Sequence, residues 1–107
     1  MDKADNDRST ALLTVALNGY KEVSYLLINK GAGIAVRNKR GWTAIYNATQ
    51  NGHIGVVRLL LDKGANINTA NKTGWSALHS TTQNGYASVV SILLDNGANI
   101  NFTSNAG

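Results

Sequence analysis

NKRGWTAIYNATQNGHIGVVRLLLDKGANINTA, residues 38–70, is followed without a gap by NKTGWSALHSTTQNGYASVVSILLDNGANINFT, residues 71–103. About 19 of the 33 positions are identical between the two. A worn third copy precedes them at 5–37, DNDRSTALLTVALNGYKEVSYLLINKGAGIAVR. A fixed period of this size marks stacked units, none of which can bury its apolar face alone. Stability in such a stack comes from each unit and from its interface with its neighbours. Three units stand near the minimum for a stable stack.

Each copy has the same internal grammar. A turn comes first, NKRGW or NKTGW, in which Gly41 and Gly74 supply a positive φ. The first copy has Arg8 at that place, so its turn is expected to differ and to be the least ordered part. A hydroxyl residue follows, Thr10, Thr43 or Ser76, immediately before an apolar run, and reads as a helix N-cap. The short helix stops at Asn18-Gly19, Asn51-Gly52 or Asn84-Gly85, where either residue tolerates the left-handed conformation that ends a helix. A second helix runs to Gly31, Gly64 or Gly97. Its apolar positions in the middle copy are Ile54, Val56, Val57, Leu59, Leu60 and Leu61, broader than one stripe. That breadth fits a helix packed on a partner helix and between adjacent units.

Composition narrows the class. The 107 residues suffice for one small domain. Cysteine is absent, which removes disulfides, thiolate chemistry and cysteine-rich zinc sites. No apolar run could span a bilayer. The opening MDKADNDRST is polar and acidic, unlike a secretory signal. An intracellular, cytoplasmic protein is the default. The net charge of +4 mainly concerns solubility. Proline is also absent, and much of the abundant Asn sits at turns, where it is physically suited.

The motifs G-W-T-A-I-Y (41–46), G-W-S-A-L-H (74–79), N-G-H-I-G-V-V-R-L-L-L (51–61) and G-A-N-I-N (64–68 and 97–101) resemble the ankyrin repeat family. The family's signature Thr-Pro-Leu-His stands here as Thr10-Ala11-Leu12-Leu13, Thr43-Ala44-Ile45-Tyr46 and Ser76-Ala77-Leu78-His79. Ala replaces Pro in all three, losing a residue pre-set for that position. Only His79 keeps the imidazole that, in the family, ties repeats by hydrogen bonds, so Leu13 and Tyr46 are expected to pack instead. Thr49, Thr81 and Thr82 stand where the family has tightly packed Ala. The resemblance implies an all-α ankyrin solenoid: three stacked helix-turn-helix repeats with short hairpin-like turns. The single domain would carry repeats at 5–37, 38–70 and 71–103, with 104–107 opening a fourth copy. It also implies a non-catalytic module that binds protein on a concave face of turn tips and first helices.

The contact residues expected on that face are Arg37, Lys39, Arg40, Trp42, Gln50, Asn51, Lys72, Thr73, Trp75, Gln83 and Asn84. Trp is enriched at binding hot spots. The basic residues flank the two Trp and suit a protein partner with an acidic segment. The competing reading of the charges is a solvated turn. For the Trp pair it is packing on the next turn, and for the Gln-Asn pairs a helix stop.

Other classes have less support. The sequence pI of about 9.6 would admit nucleic acid, but four clustered charges make a weak footprint. The two His fall at different places in the repeat, and no cluster of ligands converges for a metal. Ser76 and Ser80 near His79 lack an acidic residue to orient the imidazole. The glycines follow the repeat and not a phosphate cradle. No enzyme activity, cofactor, metal or membrane contact is expected. The last helix carries only Asp95 as a charge and is expected to expose Val89, Ile92 and Leu93. That predicts self-association through an uncapped C-terminal repeat, or a fragment of a longer array. The alternative function is accordingly a structural spacer with no partner of its own.

Overall fold

The computed structural model describes residues 3–68, 70 and 75–98, with side chains from residue 7 onward. Six helices occur among them: α1 (Lys3–Asn18), α2 (Lys21–Asn29), α3 (Ala44–Gln50), α4 (Ile54–Asp62), α5 (Ala77–Asn84) and α6 (Ala87–Asp95). They pair as α1–α2, α3–α4 and α5–α6, and the pairs stack in order. One layer is α1, α3 and α5; the other is α2, α4 and α6. Among the described residues the one extended pairing outside helices is an antiparallel bridge, Ala70 to Ser76. The all-α stacked-repeat expectation holds.

The local chemistry that starts and stops the helices is visible. Thr43 is extended, and its hydroxyl accepts from the Tyr46 N–H at 3.4 Å, capping α3. At Ser76 the reverse arm of a capping box forms, with His79 Nδ1 accepting the Ser76 N–H at 2.8 Å. Gly41 adopts φ 86, the left-handed conformation its turn requires.

The first repeat departs from the expectation. Thr10 is no N-cap: it lies inside α1, where its carbonyl accepts from Thr14 Oγ1 at 3.4 Å. The expected open turn is instead helix from Lys3 onward. The reason is Arg8, where the middle copy has Gly41 with its positive φ. Without a residue that favours that conformation, the chain continues in the right-handed helix. Ser9 is then fully buried, and its hydroxyl accepts the Gly33 N–H at 2.8 Å. That bond secures the extended helix to the loop after α2.

The core runs along the stack between the two layers. Leu12, Ala16, Ala48, Val57, Leu60 and Leu93 are fully buried in it. Leu13 and Tyr46 are buried as expected. Thr49 and Thr81 are buried without cost to their hydroxyls. Thr49 Oγ1 donates to the Tyr46 carbonyl at 2.8 Å and Thr81 Oγ1 to the Ala77 carbonyl at 3.0 Å. Thr82 is exposed.

The expected apolar C-terminal face is also corrected. Val89 and Leu93 point inward, at 1% and 0% exposure, and Ile92 is half-buried. Of the large apolar residues of α6 only Leu94 is exposed, and the broader open apolar surface lies at the other end of the stack, on α2.

Candidate protein-binding surface

The tip of the second repeat is a closed loop built on one residue. The Asn38 side-chain oxygen accepts from the backbone N–H of Arg40 at 2.9 Å and of Trp42 at 3.0 Å. The Asn38 N–H donates to the Trp42 carbonyl, and the Gly41 N–H to the Asn38 carbonyl, both at 2.9 Å. These four bonds hold Lys39 and Arg40 outward, and both are exposed. Asn suits this position because its short side chain imitates a backbone acceptor.

Trp42 stands on a ring. Its indole stacks on Tyr46 with centroids 3.8 Å apart and planes 6° apart, and Tyr46 itself is buried. At the matching place Trp75 stacks on His79, at 4.9 Å and 24°. Both Trp are half-buried. Each is therefore anchored within its own repeat, one helical turn from its partner. Rings so held lose little freedom on contact with a ligand.

Arg37 does something else. Its Nη1 donates to the Ala70 carbonyl at 2.9 Å, tying the residue before the second repeat's turn to the equivalent residue one repeat later. Behind it lies a cleft of about 190 Å³ between the turns, lined by Ile34, Thr43, Ile45 and Asn66 among others. Lys72 and Thr73 lie outside the described residues.

Gln50, Asn51, Gln83 and Asn84 are all exposed, at the far ends of α3 and α5. Gln50 is thus a helix length, about 10 Å, from Trp42. Two of the four amides clasp neighbouring repeats. Asn51 Nδ2 donates to the Leu17 carbonyl at 2.8 Å and Asn84 Nδ2 to the Gln50 carbonyl at 3.2 Å. The structure therefore gathers Lys39, Arg40 and Trp42 at one tip and leaves the Gln-Asn pairs at another edge. Asn38 and Tyr46 complete the tip and were absent from the expected set. Asn38 recurs as Asn71, and Tyr46 stands four residues after Trp42, which are the signals that could have found them.

Both imidazoles have structural partners. His53 Nε2 lies 2.9 Å from the Leu17 carbonyl, to which it must donate. His79 Nδ1 lies 2.9 Å from Ser76 Oγ and also accepts the Ser76 N–H. That pair caps α5, and Ser76 is only 3% exposed. Among the described residues the acidic side chains Asp7, Glu22, Asp62 and Asp95 stand on other helices, and no three His, Asp or Glu gather as a metal site. No helix of the described residues is long and apolar enough to cross a membrane.

The sequence comparison gives this stack of helix pairs a family. A family model of ankyrin repeats, in three copies, matches residues 12–104; the chain belongs to the ankyrin repeat family. No curated protein matches the sequence. Ankyrin repeats are generally protein–protein interaction modules and are typically non-catalytic.

Proposed function

We propose that this domain is a non-catalytic adaptor or scaffold module of the cytoplasm, whose concave face binds an acidic segment of a protein partner. The observation that carries the reading is the second repeat's tip. Two exposed cations, Lys39 and Arg40, are held by the Asn38 loop beside an indole fixed on Tyr46. Cations steer an acidic segment to the surface, and the fixed aromatic supplies apolar contact. Lys72, Thr73 and Trp75 would repeat the arrangement on the next tip, with Gln50, Asn51, Gln83 and Asn84 along the far edge. Arg37 contributes charge while holding the two turns in register.

The test is an affinity capture from cell lysate with two baits. One is the natural chain. The other carries Lys39→Ala, Arg40→Ala and Trp42→Ala, and must show the same helical content and melting temperature. A protein retained by the first, lost by the second and released by moderate salt supports the reading. Identical retained sets overturn it and leave the repeats as a structural spacer.

A further inference from the structure

We propose that the two ends of this three-repeat stack are complementary, so that a second copy of the chain docks head to tail, α2 of one molecule against the α5–α6 end of the next. The inference concerns a different surface from the concave face and stands apart from it.

Positions 33 residues apart are equivalent, so each end can be compared with the two joints inside the stack. Tyr20 is matched by His53 and Tyr86, Val23 by Val56 and Val89, and Leu26 by Leu59 and Ile92. In the second and third repeats these places are covered. Val56 and Val89 are each 1% exposed, Leu59 is 8% exposed, and His53, Tyr86 and Ile92 are half-buried. In the first repeat they are open: Tyr20 at 57%, Val23 at 43% and Leu26 at 58%. Val89 is as buried in the third repeat as Val56 in the second, so the cover comes from the preceding unit. The structure therefore shows what kind of surface the α2 face takes.

That surface recurs, open, at the far end. Within the stack a ring of one repeat rests on a glycine of the repeat before it, His53 on Gly19 and Tyr86 on Gly52. Gly85 stands at the same place in the third repeat, and nothing lies within 4 Å of where its Cβ would be. Leu61 and Ile92 line one groove between α4 and α6. Leu94, equivalent to Leu61, is 40% exposed, while Leu61 is half-buried. The amide clasp follows suit. Asn18, the counterpart of Asn51 and Asn84, turns back to the Thr14 carbonyl of its own helix at 3.2 Å. The counterpart of the Leu17 and Gln50 carbonyls is that of Gln83, in the last turn of α5.

One end thus holds a ring, an apolar helix face and an amide. The other holds a glycine seat, an exposed leucine and a carbonyl in the same register. Residues 3–10 are helical. They do not form the turn, such as 38–42, that carries the chain from one repeat into the next. A contact of this kind is heterologous, so it continues from copy to copy until an end is blocked.

Sedimentation velocity across a wide concentration range tests this. Leu26→Lys blocks one end and Leu94→Lys the other. Both sites are exposed, and circular dichroism and thermal melts check that each variant folds; Tyr20→Asp replaces Leu26→Lys if it does not. The natural chain should grow beyond the dimer with concentration. Each variant alone should stay monomeric, and their equimolar mixture should give a one-to-one dimer and nothing larger. A natural chain that stays monomeric throughout overturns the proposal. So does a mixture that stays monomeric, or a Leu94→Lys variant that associates like the natural chain, which would mean symmetric α2–α2 pairing.

Discussion

The imidazole of His53 lies over Gly19, so close that a Cβ built on Gly19 would come within 2.5 Å of Nδ1. The ring cannot easily withdraw, because its Nε2 bonds the Leu17 carbonyl at 2.9 Å. Gly19 also has φ 77. Gly85 has nearly the same φ, 73, but nothing within 4 Å. The pair therefore separates backbone strain from the joint between repeats. Gly85→Ala should cost about 1–2 kcal/mol from the left-handed conformation alone. Gly19→Ala should cost about 2–4 kcal/mol, because overpacking is added. Urea unfolding at low protein concentration measures both, and equal losses would remove the ring-on-glycine joint as a source of stability.

Leucines of α4 and α2 that look alike in sequence should behave differently. Leu60 is fully buried, while Leu26 is 58% exposed. Leu60→Ala should destabilise the domain by about 2–5 kcal/mol. Leu26→Ala should stay within about 0.5 kcal/mol in dilute solution. For a domain of this size, 1 kcal/mol moves the melting temperature by roughly 4–8 °C, so thermal melts distinguish them.

Asn47 is a buried inter-repeat link, with Nδ2 donating to the Leu13 carbonyl at 3.0 Å. Asn47→Ala should cost about 1–3 kcal/mol, since a buried partner is left behind. Asn51→Ala removes the equivalent but exposed bond to Leu17 and should cost about 0.5–1.5 kcal/mol. Chemical denaturation of the two variants tests the order, and a reversed order would mean that water replaces the buried bond.

The Trp42–Tyr46 stack predicts energetic coupling across the tip. A double-mutant cycle with Trp42→Ala and Tyr46→Ala should give about 0.5–1.5 kcal/mol of coupling beyond lost area. A coupling near zero would mean that the indole is not anchored, which also weakens its role as a rigid contact.

Much of the fold was legible before any coordinates. Thr43 and Ser76 cap helices as their place before an apolar run predicts, and the helices stop near the Asn-Gly and Gly-Ala boundaries. These signals are local, so one copy predicts the next. Thr10 differs from its counterparts Thr43 and Ser76, which are caps, and lies inside α1. The deciding residue was Arg8, two positions earlier, which removes the left-handed turn. At the candidate surface, the exposed cations and the Trp pair were readable as residue types. The rings beneath the Trp and the Asn38 loop were not, because they depend on the path of the turn.

The period, most helix boundaries and the family were determined by the sequence itself, since each rests on short-range patterns repeated in register. Which apolar residues are open was decided only by the tertiary structure. Val23, Val56 and Val89 are the same residue at the same place, yet they are 43%, 1% and 1% exposed. A periodic sequence carries no mark of which side its neighbour covers. Direction enters only when the repeats stack, and it leaves α2 uncovered at one end and Gly85 unfilled at the other.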